Sequence, residues 1–247
     1  MQNERDPWLR VERVAFTPGP QFVCWLAAHQ DYCEKFAFDD KEKWPENEGA
    51  AGKALIRHLL ANERGHYGPL EHASIVLNFG YFPHCVISQA RTHRVGVSFD
   101  VQSMRYTGQR MAQVASGEVD VEEAFYFRPL GEYRDRKGHK YEYTEGLRDN
   151  DKELSLFLAQ RYTDRLKLQG FAEEHARENL PYNFRQHFVA SFSLRAALHF
   201  LDLRAKKDAQ LEIQQMCELM VPHLEDWVPD VWGWYEEKRL GKARLAP

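Results

Sequence analysis

The sequence predicts an α+β fold with mixed helices, an antiparallel-rich sheet and a C-terminal half that is mainly helical. Three observations predict it. The chain has 247 residues with a hydrophobic fraction of 43%, enough for a packed core, and no repeat or Gly/Pro/Ser linker divides it, so 1–247 reads as a single domain. Apolar periods of two and of 3.6 residues both occur, without the regular βαβ alternation of a doubly wound sheet. In the C-terminal half the apolar stripes are mostly helical.

Taken in order, Lys43 to Arg64 carries Leu55, Leu59 and Leu60 on one stripe and predicts a helix ending before Gly65. HYGPLEH is a turn built on Gly68 and Pro69, and ASIVLNFGYF alternates at Ile75, Leu77 and Phe79 as a strand does. Pro83 then opens a helix over HCVISQARTHR, expected to run to about Arg94, because proline suits the first helical position. VGVSFDVQSMRYTGQR reads as irregular or extended, AFYF as a short strand, and the charged, glycine-dotted stretch 128–148 as an exposed loop. Asp151 to Gln169 predicts a helix with Leu154, Leu158, Tyr162 and Leu166 at fourfold spacing, and Phe171 to Asn179 a short helix before Pro181. HFVASFS resembles a strand, LRAALHFLDLR a helix, and Asp208 to Met220 another amphipathic helix; Trp227, Trp232 and Trp234 read as a packing flap.

Composition narrows the function classes. Lys+Arg 33 against Asp+Glu 37 gives a net charge of −4, without the cationic excess of a general nucleic-acid coat. The longest apolar stretch, Phe22 to Ala28, has seven residues where a membrane span needs about 20. MQNERDPW shows no secretory pattern, so a cytoplasmic location is expected. Cys24, Cys33, Cys85 and Cys217 are widely spaced, and the separations of His58, His66 and His72 match no standard ligand pattern; no metal is expected. Neither GxGxxG after a strand nor GxxxxGK[ST] is present.

Three clusters carry chemistry. Arg91, Arg94, Arg105 and Arg110 fall within twenty residues alongside Gln89, His93, Ser98 and Ser103. Guanidinium forks grip phosphate, and amides and hydroxyls orient a sugar or base; a solvated basic helix end fits the same pattern. On a helix Gln89 and His93 would share a face. SLRAALHFLDLRAKKD sets Arg195 and His199 four apart among Ala and Leu, where an arginine needs a partner or ligand; Arg204 and Asp208 read equally as an ordinary helix ion pair. His66, Glu71 and His72 gather at the HYGPLEH turn, which a purely structural turn also explains. No covalent catalyst stands out: there is no GxSxG elbow, and no cysteine neighbours a histidine in an arrangement that reads as nucleophilic.

Together the three clusters resemble the flavin-dependent thymidylate synthases. That family's signature is arginine, histidine, arginine, seven or eight residues, then serine; here His93 and Arg94 are followed by eight residues, Val95 to Gln102, and Ser103. Ser103, Met104, Arg105 and Tyr106 match the following serine-x-arginine-tyrosine, HYGPLEH matches the upstream turn, and LHFLDLRAKKDAQLEIQ matches the late LRA segment. The ordered agreement covers about residues 26–215. The first arginine of the triplet is displaced, so Arg91 or Thr92 takes its place; Asp100, Ser193, His199 and Asp208 stand where the family usually has other residues.

The resemblance implies the family's α+β domain, a homotetramer with active sites shared between subunits, and FAD and dUMP stacked in each site. It implies that His66, Glu71, Thr92, His93, Arg94, Ser193, Arg195 and His199 contact FAD, and that Gln89, Arg91, Ser103, Arg105, Arg177 and Arg204 hold dUMP. The implied reaction is reductive methylation of dUMP to dTMP, with methylenetetrahydrofolate giving the carbon and NADPH reducing the flavin, without an enzyme cysteine nucleophile. Arg204 is then the catalytic choice, stabilising charge that grows on the uracil ring, and Ser103 a nucleotide-binding hydroxyl. Alternative readings are a flavoprotein acting on another pyrimidine nucleotide and a non-catalytic nucleotide- or RNA-binding module.

Overall fold

A computed structural model describes residues 5–61, 66–135 and 137–242. Four strands, β1 (Arg10–Phe16), β2 (Ser74–Pro83), β3 (Val97–Val101) and β6 (Arg185–Ser193), form a sheet of order β1-β2-β6-β3. A second, two-stranded antiparallel sheet pairs β4 (Gly131–Arg134) with β5 (Lys140–Tyr143). The helices are α1 (Pro20–Tyr32), α2 (Glu48–Leu55), α3 (His84–Ala90), α4 (Met104–Thr107), α5 (Gln109–Ser116), α6 (Val121–Ala124), α7 (Glu145–Lys167), α8 (Glu173–Ala176), α9 (Leu194–Arg204), α10 (Leu211–Trp227) and α11 (Pro229–Lys238). The expected α+β class with a mainly helical C-terminal half is what the structure shows. No helix among the described residues is long and apolar enough to cross a membrane.

The chain divides into two compact units, each built from three stretches. Unit one comprises Met1–Arg10, Phe79–Arg91 and Asp100–Phe188; unit two comprises Val11–Asn78, Thr92–Phe99 and Val189–Pro247. In unit one, Met104, Met111, Val114, Phe125, Ala159 and Tyr162 belong to one apolar core. Gly108 sits so close to it that a Cβ there would fall 1.8 Å from the Tyr162 hydroxyl. Arg185, 1% exposed, is held by charge and by carbonyls: Nη2 donates to Asp6 Oδ2 at 2.5 Å, Nη1 to the Tyr81 carbonyl at 2.9 Å and Nε to the Glu122 carbonyl at 2.8 Å.

Unit two shows how local chemistry sets element ends. Gly19 adopts a left-handed φ of 58°, Pro20 opens α1, and the Glu48 carboxylate accepts from the Gln21 and Phe22 amides at 3.0 and 2.9 Å. Asn47 Oδ1 accepts from the Ala50 amide at 2.9 Å and starts α2 there, not at the expected Lys43, because Pro45 interrupts the run. The helix then widens into a π-type turn at Ile56–Leu60. Leu55, Leu59 and Leu60 are buried as expected, while the expected end at Arg64 and Gly65 lies outside the described residues. Trp227 and Trp232 are buried, as a packing flap requires.

Other expectations need correction. The helix after Pro83 stops at Ala90, not Arg94. VGVSFDVQSMRYTGQR is extended only over β3; Ser103 then caps α4, and α5 follows. AFYF contributes an isolated bridge, Phe125 to Phe184, after α6. Within the 128–148 stretch, 131–143 is a hairpin in place of a loop and α7 begins at Glu145; its strands pair Gly131 to Tyr143 through Arg134 to Lys140 and its Tyr133 and Tyr141 rings are 5.7 Å apart, while Arg136 lies outside the described residues. On α7 the buried stripe is Ser155, Ala159, Tyr162 and Thr163, and Leu154 is exposed, because a strict fourfold spacing drifts about 40° per step from a 3.6-residue period. The last amphipathic helix starts at Leu211 and continues through Pro222 to Trp227.

Candidate active site

The early end of α3 decides where the signature residues stand. Arg91 closes α3, its amide donating to the Ile87 carbonyl at 3.0 Å, and Thr92, His93 and Arg94 follow outside the helix. Gln89 and His93 therefore do not share a helical face, contrary to expectation. At Gly96 the backbone takes φ 67°, its carbonyl accepts from the Ser193 amide at 2.8 Å, and a Cβ would meet Ser193 Oγ at 2.5 Å. Only glycine suits both the angle and the space.

Ser193 ends β6 and starts α9, its Oγ accepting from the Ala196 amide at 3.2 Å. From α9, Arg204 Nε donates to His93 Nε2 and Nη2 donates to Thr92 Oγ1, each at 3.0 Å. His93 is 8% exposed, its ring 4.7 Å from that of Phe200 and 5.6 Å from that of His199. Burial, and then the charge of Arg204 and the nearness of His199, push its pKa down to about 4. A neutral imidazole accepting at Nε2 carries its proton on Nδ1. His199 Nδ1 is buried and has no hydrogen-bond partner among the described residues.

These side chains line one cavity of about 310 Å³: Thr92, His93, Arg94, His199 and Arg204 supply the polar wall, and Val97, Ala196 and Leu203 the apolar one. Five of the expected residues are thus brought together. Arg195 instead pairs with Glu71, Nη1 to Oε1 at 2.6 Å, joining α9 to the Gly68–Glu71 turn. His66 is not in this cavity; it lies 3.0 Å from Asp31 and lines a separate one of about 500 Å³ with Trp25, Tyr32 and His58. Ser193 is occupied as the helix cap.

The expected nucleotide residues other than Arg204 belong to unit one. Gln89 is half-buried on α3 and Arg91 is exposed. Ser103 Oγ accepts from the Arg105 amide at 3.4 Å, so among the described residues its partner is a backbone donor, not an imidazole or carboxylate. Arg105 pairs with Glu174 at 3.3 Å, and Arg177 is exposed at the end of α8. Burial pushes the Cys24 thiol up to about 12 and the Cys217 thiol higher still, so neither ionises near neutral pH.

The low pKa of His93 has a measurable consequence. Its folded value lies below the ordinary 6.5, so its stabilising contribution is complete above pH 6.5 and is lost as pH falls toward 4, by on the order of 2–3 kcal/mol. Urea melts across this range are expected to show that slope in the wild type and a shallower one in His93→Gln. Parallel slopes would refute it.

The family model described as "Thymidylate synthase complementing protein" matches residues 13–230. A flavin-dependent thymidylate synthase of Haloarcula marismortui is 34% identical, the alignment covering 96% of this chain and 99% of that one; the enzyme of that name from Halobacterium salinarum is 30% identical over 97% and 100%. Among solved structures, the UMP/dUMP methylase PolB from Streptomyces cacaoi bound with 5-Br dUMP superposes with a TM-score of 0.74 at 23% identity, covering 97% of each chain. Thymidylate Synthase X from Helicobacter pylori with FAD and dUMP superposes with a TM-score of 0.64 at 16% identity, covering 91% of this chain and 99% of that one. On the match across most of its length and on these two relatives, the chain belongs to the flavin-dependent thymidylate synthase family.

Proposed function

We propose that the protein converts dUMP to dTMP by reductive methylation, taking the carbon from methylenetetrahydrofolate and hydride from NADPH by way of FAD, with no enzyme cysteine nucleophile. The observation that carries this reading is the Thr92–Arg204–His93 arrangement, a guanidinium oriented by a hydroxyl and a neutral imidazole at the wall of a cavity. With His93 neutral, the positive charge beside it rests on Arg204, where it opposes negative charge growing on a pyrimidine carbonyl. The raised Cys24 and Cys217 thiols make those two cysteines unsuited to act as a nucleophile.

The cavity's donor set suits a flavin: His199 Nδ1 is a buried ring nitrogen in need of a partner, Arg94 and Arg204 are cations, and Val97 and Leu203 offer apolar contact to a flat ring. Thr92, His93, Arg94 and His199 would hold it, with Glu71, Arg195, Ser193 and His66 in more distant parts of the reading. When bound, FAD supplies the hydride transfer that these side chains cannot perform. Gln89, Arg91, Ser103, Arg105 and Arg177 are the further residues this reading assigns to the nucleotide. In balance, the C5 proton of uracil leaves to water, the methylene carbon bonds to C5, and hydride completes the methyl group as tetrahydrofolate departs. A homotetramer is part of this reading; Leu147, Leu154 and Phe157 form an exposed apolar stripe on α7 that suits self-association.

The test is tritium release from C5-labelled dUMP by the flavin-loaded protein under low oxygen, with NADPH and methylenetetrahydrofolate each omitted in turn. Release that needs both supports the proposal; a yellow, nucleotide-binding protein that releases none belongs to another pyrimidine reaction. Ser103→Ala is expected to raise the dUMP KM about tenfold, the loss of one charge-assisted hydrogen bond, and to leave kcat measurable. Abolished turnover with unchanged dUMP affinity would make Ser103 the nucleophile instead.

A further inference from the structure

Tyr235 and Arg239 lie beyond the residues covered by the family match and outside the cavity just described. Both close on one buried carboxylate. Asp202 is 1% exposed; the Tyr235 hydroxyl donates to its Oδ1 at 2.8 Å and Arg239 Nη2 donates to its Oδ2 at 2.9 Å. Tyr235 is itself fully buried on α11, and Arg239 is the residue that ends α11, its amide donating to the Tyr235 carbonyl at 2.8 Å. Burial pushes Asp202 up, and the two donors oppose that rise.

The position of Asp202 gives this knot a role. It stands on α9 two residues before Arg204, about 200° round the helix, so the carboxylate and the guanidinium leave α9 on nearly opposite sides. Arg204 is also the last residue of α9, where helices fray and the backbone is least constrained by its own hydrogen bonds. Its two bonds to Thr92 and His93 hold only if that final turn stays in place. A buried ion pair with a third donor is geometrically specific, and it fixes the final turn from behind.

We propose that Asp202, Tyr235 and Arg239 form a brace through which α11 positions Arg204 for the reaction. Asp202 and Arg239 are positioning residues, since neither lines the cavity. The inference rests on the reading of Arg204 as the catalytic arginine.

The experiment uses the full-length, flavin-loaded protein and the variants Arg239→Met, Arg239→Lys and Asp202→Asn. Two readouts are taken on samples whose circular dichroism matches the wild type: kcat and KM for dUMP from tritium release, and the His93 titration midpoint by NMR. With the brace cut in Arg239→Met, Arg204 moves from His93 and removes one of the influences holding that imidazole low. The midpoint is expected to rise by about half a unit or more and kcat to fall about tenfold, with Arg239→Lys restoring most of both. Where Arg239→Met does not fold, Asp202→Asn weakens the brace, since the amide loses the charge and offers one acceptor oxygen in place of two, and kcat is expected to fall by a smaller factor. A folded variant with unchanged midpoint and unchanged kcat overturns the brace, even if its melting temperature falls. If the wild type releases no tritium, the functional reading fails, and the NMR titration still decides whether α11 positions Arg204.

Discussion

Replacing Arg204 by alanine is expected to lower thymidylate formation by about 10²–10³-fold while the purified protein keeps its flavin. The expectation comes from the bonding pattern. Arg204 brings a fixed fork to Thr92 and His93, and no other cation is bonded to both of these residues among the described ones. Truncation removes the charge that would oppose a developing enolate, whereas Thr92, His93, Arg94 and His199 remain to line the cavity. Arg204→Lys is expected to recover little of the loss, because an ammonium cannot reproduce a planar fork directed at two acceptors. Turnover and the ratio of flavin to protein absorbance, measured on the same preparation, check both halves. Undiminished turnover would remove Arg204 from catalysis, and flavin loss in step with activity would make it a binding residue.

Arg185→Met is expected to cost about 3–5 kcal/mol of folding stability, the largest effect outside the site. Methionine fills similar space but leaves the Asp6 carboxylate buried without its cation and takes a donor from the Tyr81 and Glu122 carbonyls. A buried charge that loses its partner is more costly than the intact pair was favourable. Asp6→Asn should cost less, since the amide still accepts from Arg185. Denaturant melts of the two variants rank them; an Arg185→Met midpoint equal to that of the wild type would show the pair to be dispensable.

The parts of the fold legible in the sequence were those set by local rules. Period-two burial at Ile75, Leu77 and Phe79 was readable, and LRAALHFLDLR matches α9 residue for residue. What escaped was decided by distant partners. Helix α3 stops four residues early because His93 turns to Arg204 and Phe200, more than a hundred positions along the chain. The 131–143 hairpin carries its signal in Tyr133, Tyr141 and Tyr143, but Lys and Arg between them mask the alternation. The grouping of Thr92, His93, Arg94, His199 and Arg204 follows the family motifs, whereas the placement of His66 at a different cavity does not, since adjacency in a motif does not dictate which wall a side chain joins. Asp202 did leave a trace: a carboxylate at a buried phase of an apolar helix asks for a cation, and Arg239 lies too far along the sequence to be recognised as it.

The alternation of the chain between its two units bears on biosynthesis. As the polypeptide leaves the ribosome, unit one lacks its final stretch until Phe188 has emerged, and unit two still awaits everything from Val189 onward. Helix α9, with Arg204, is therefore among the last parts made, and the nascent chain must hold Val11–Asn78 in solution without its eventual neighbours. Neither unit can be released as a continuous fragment by a single cut, since each is built from three separate stretches of the chain.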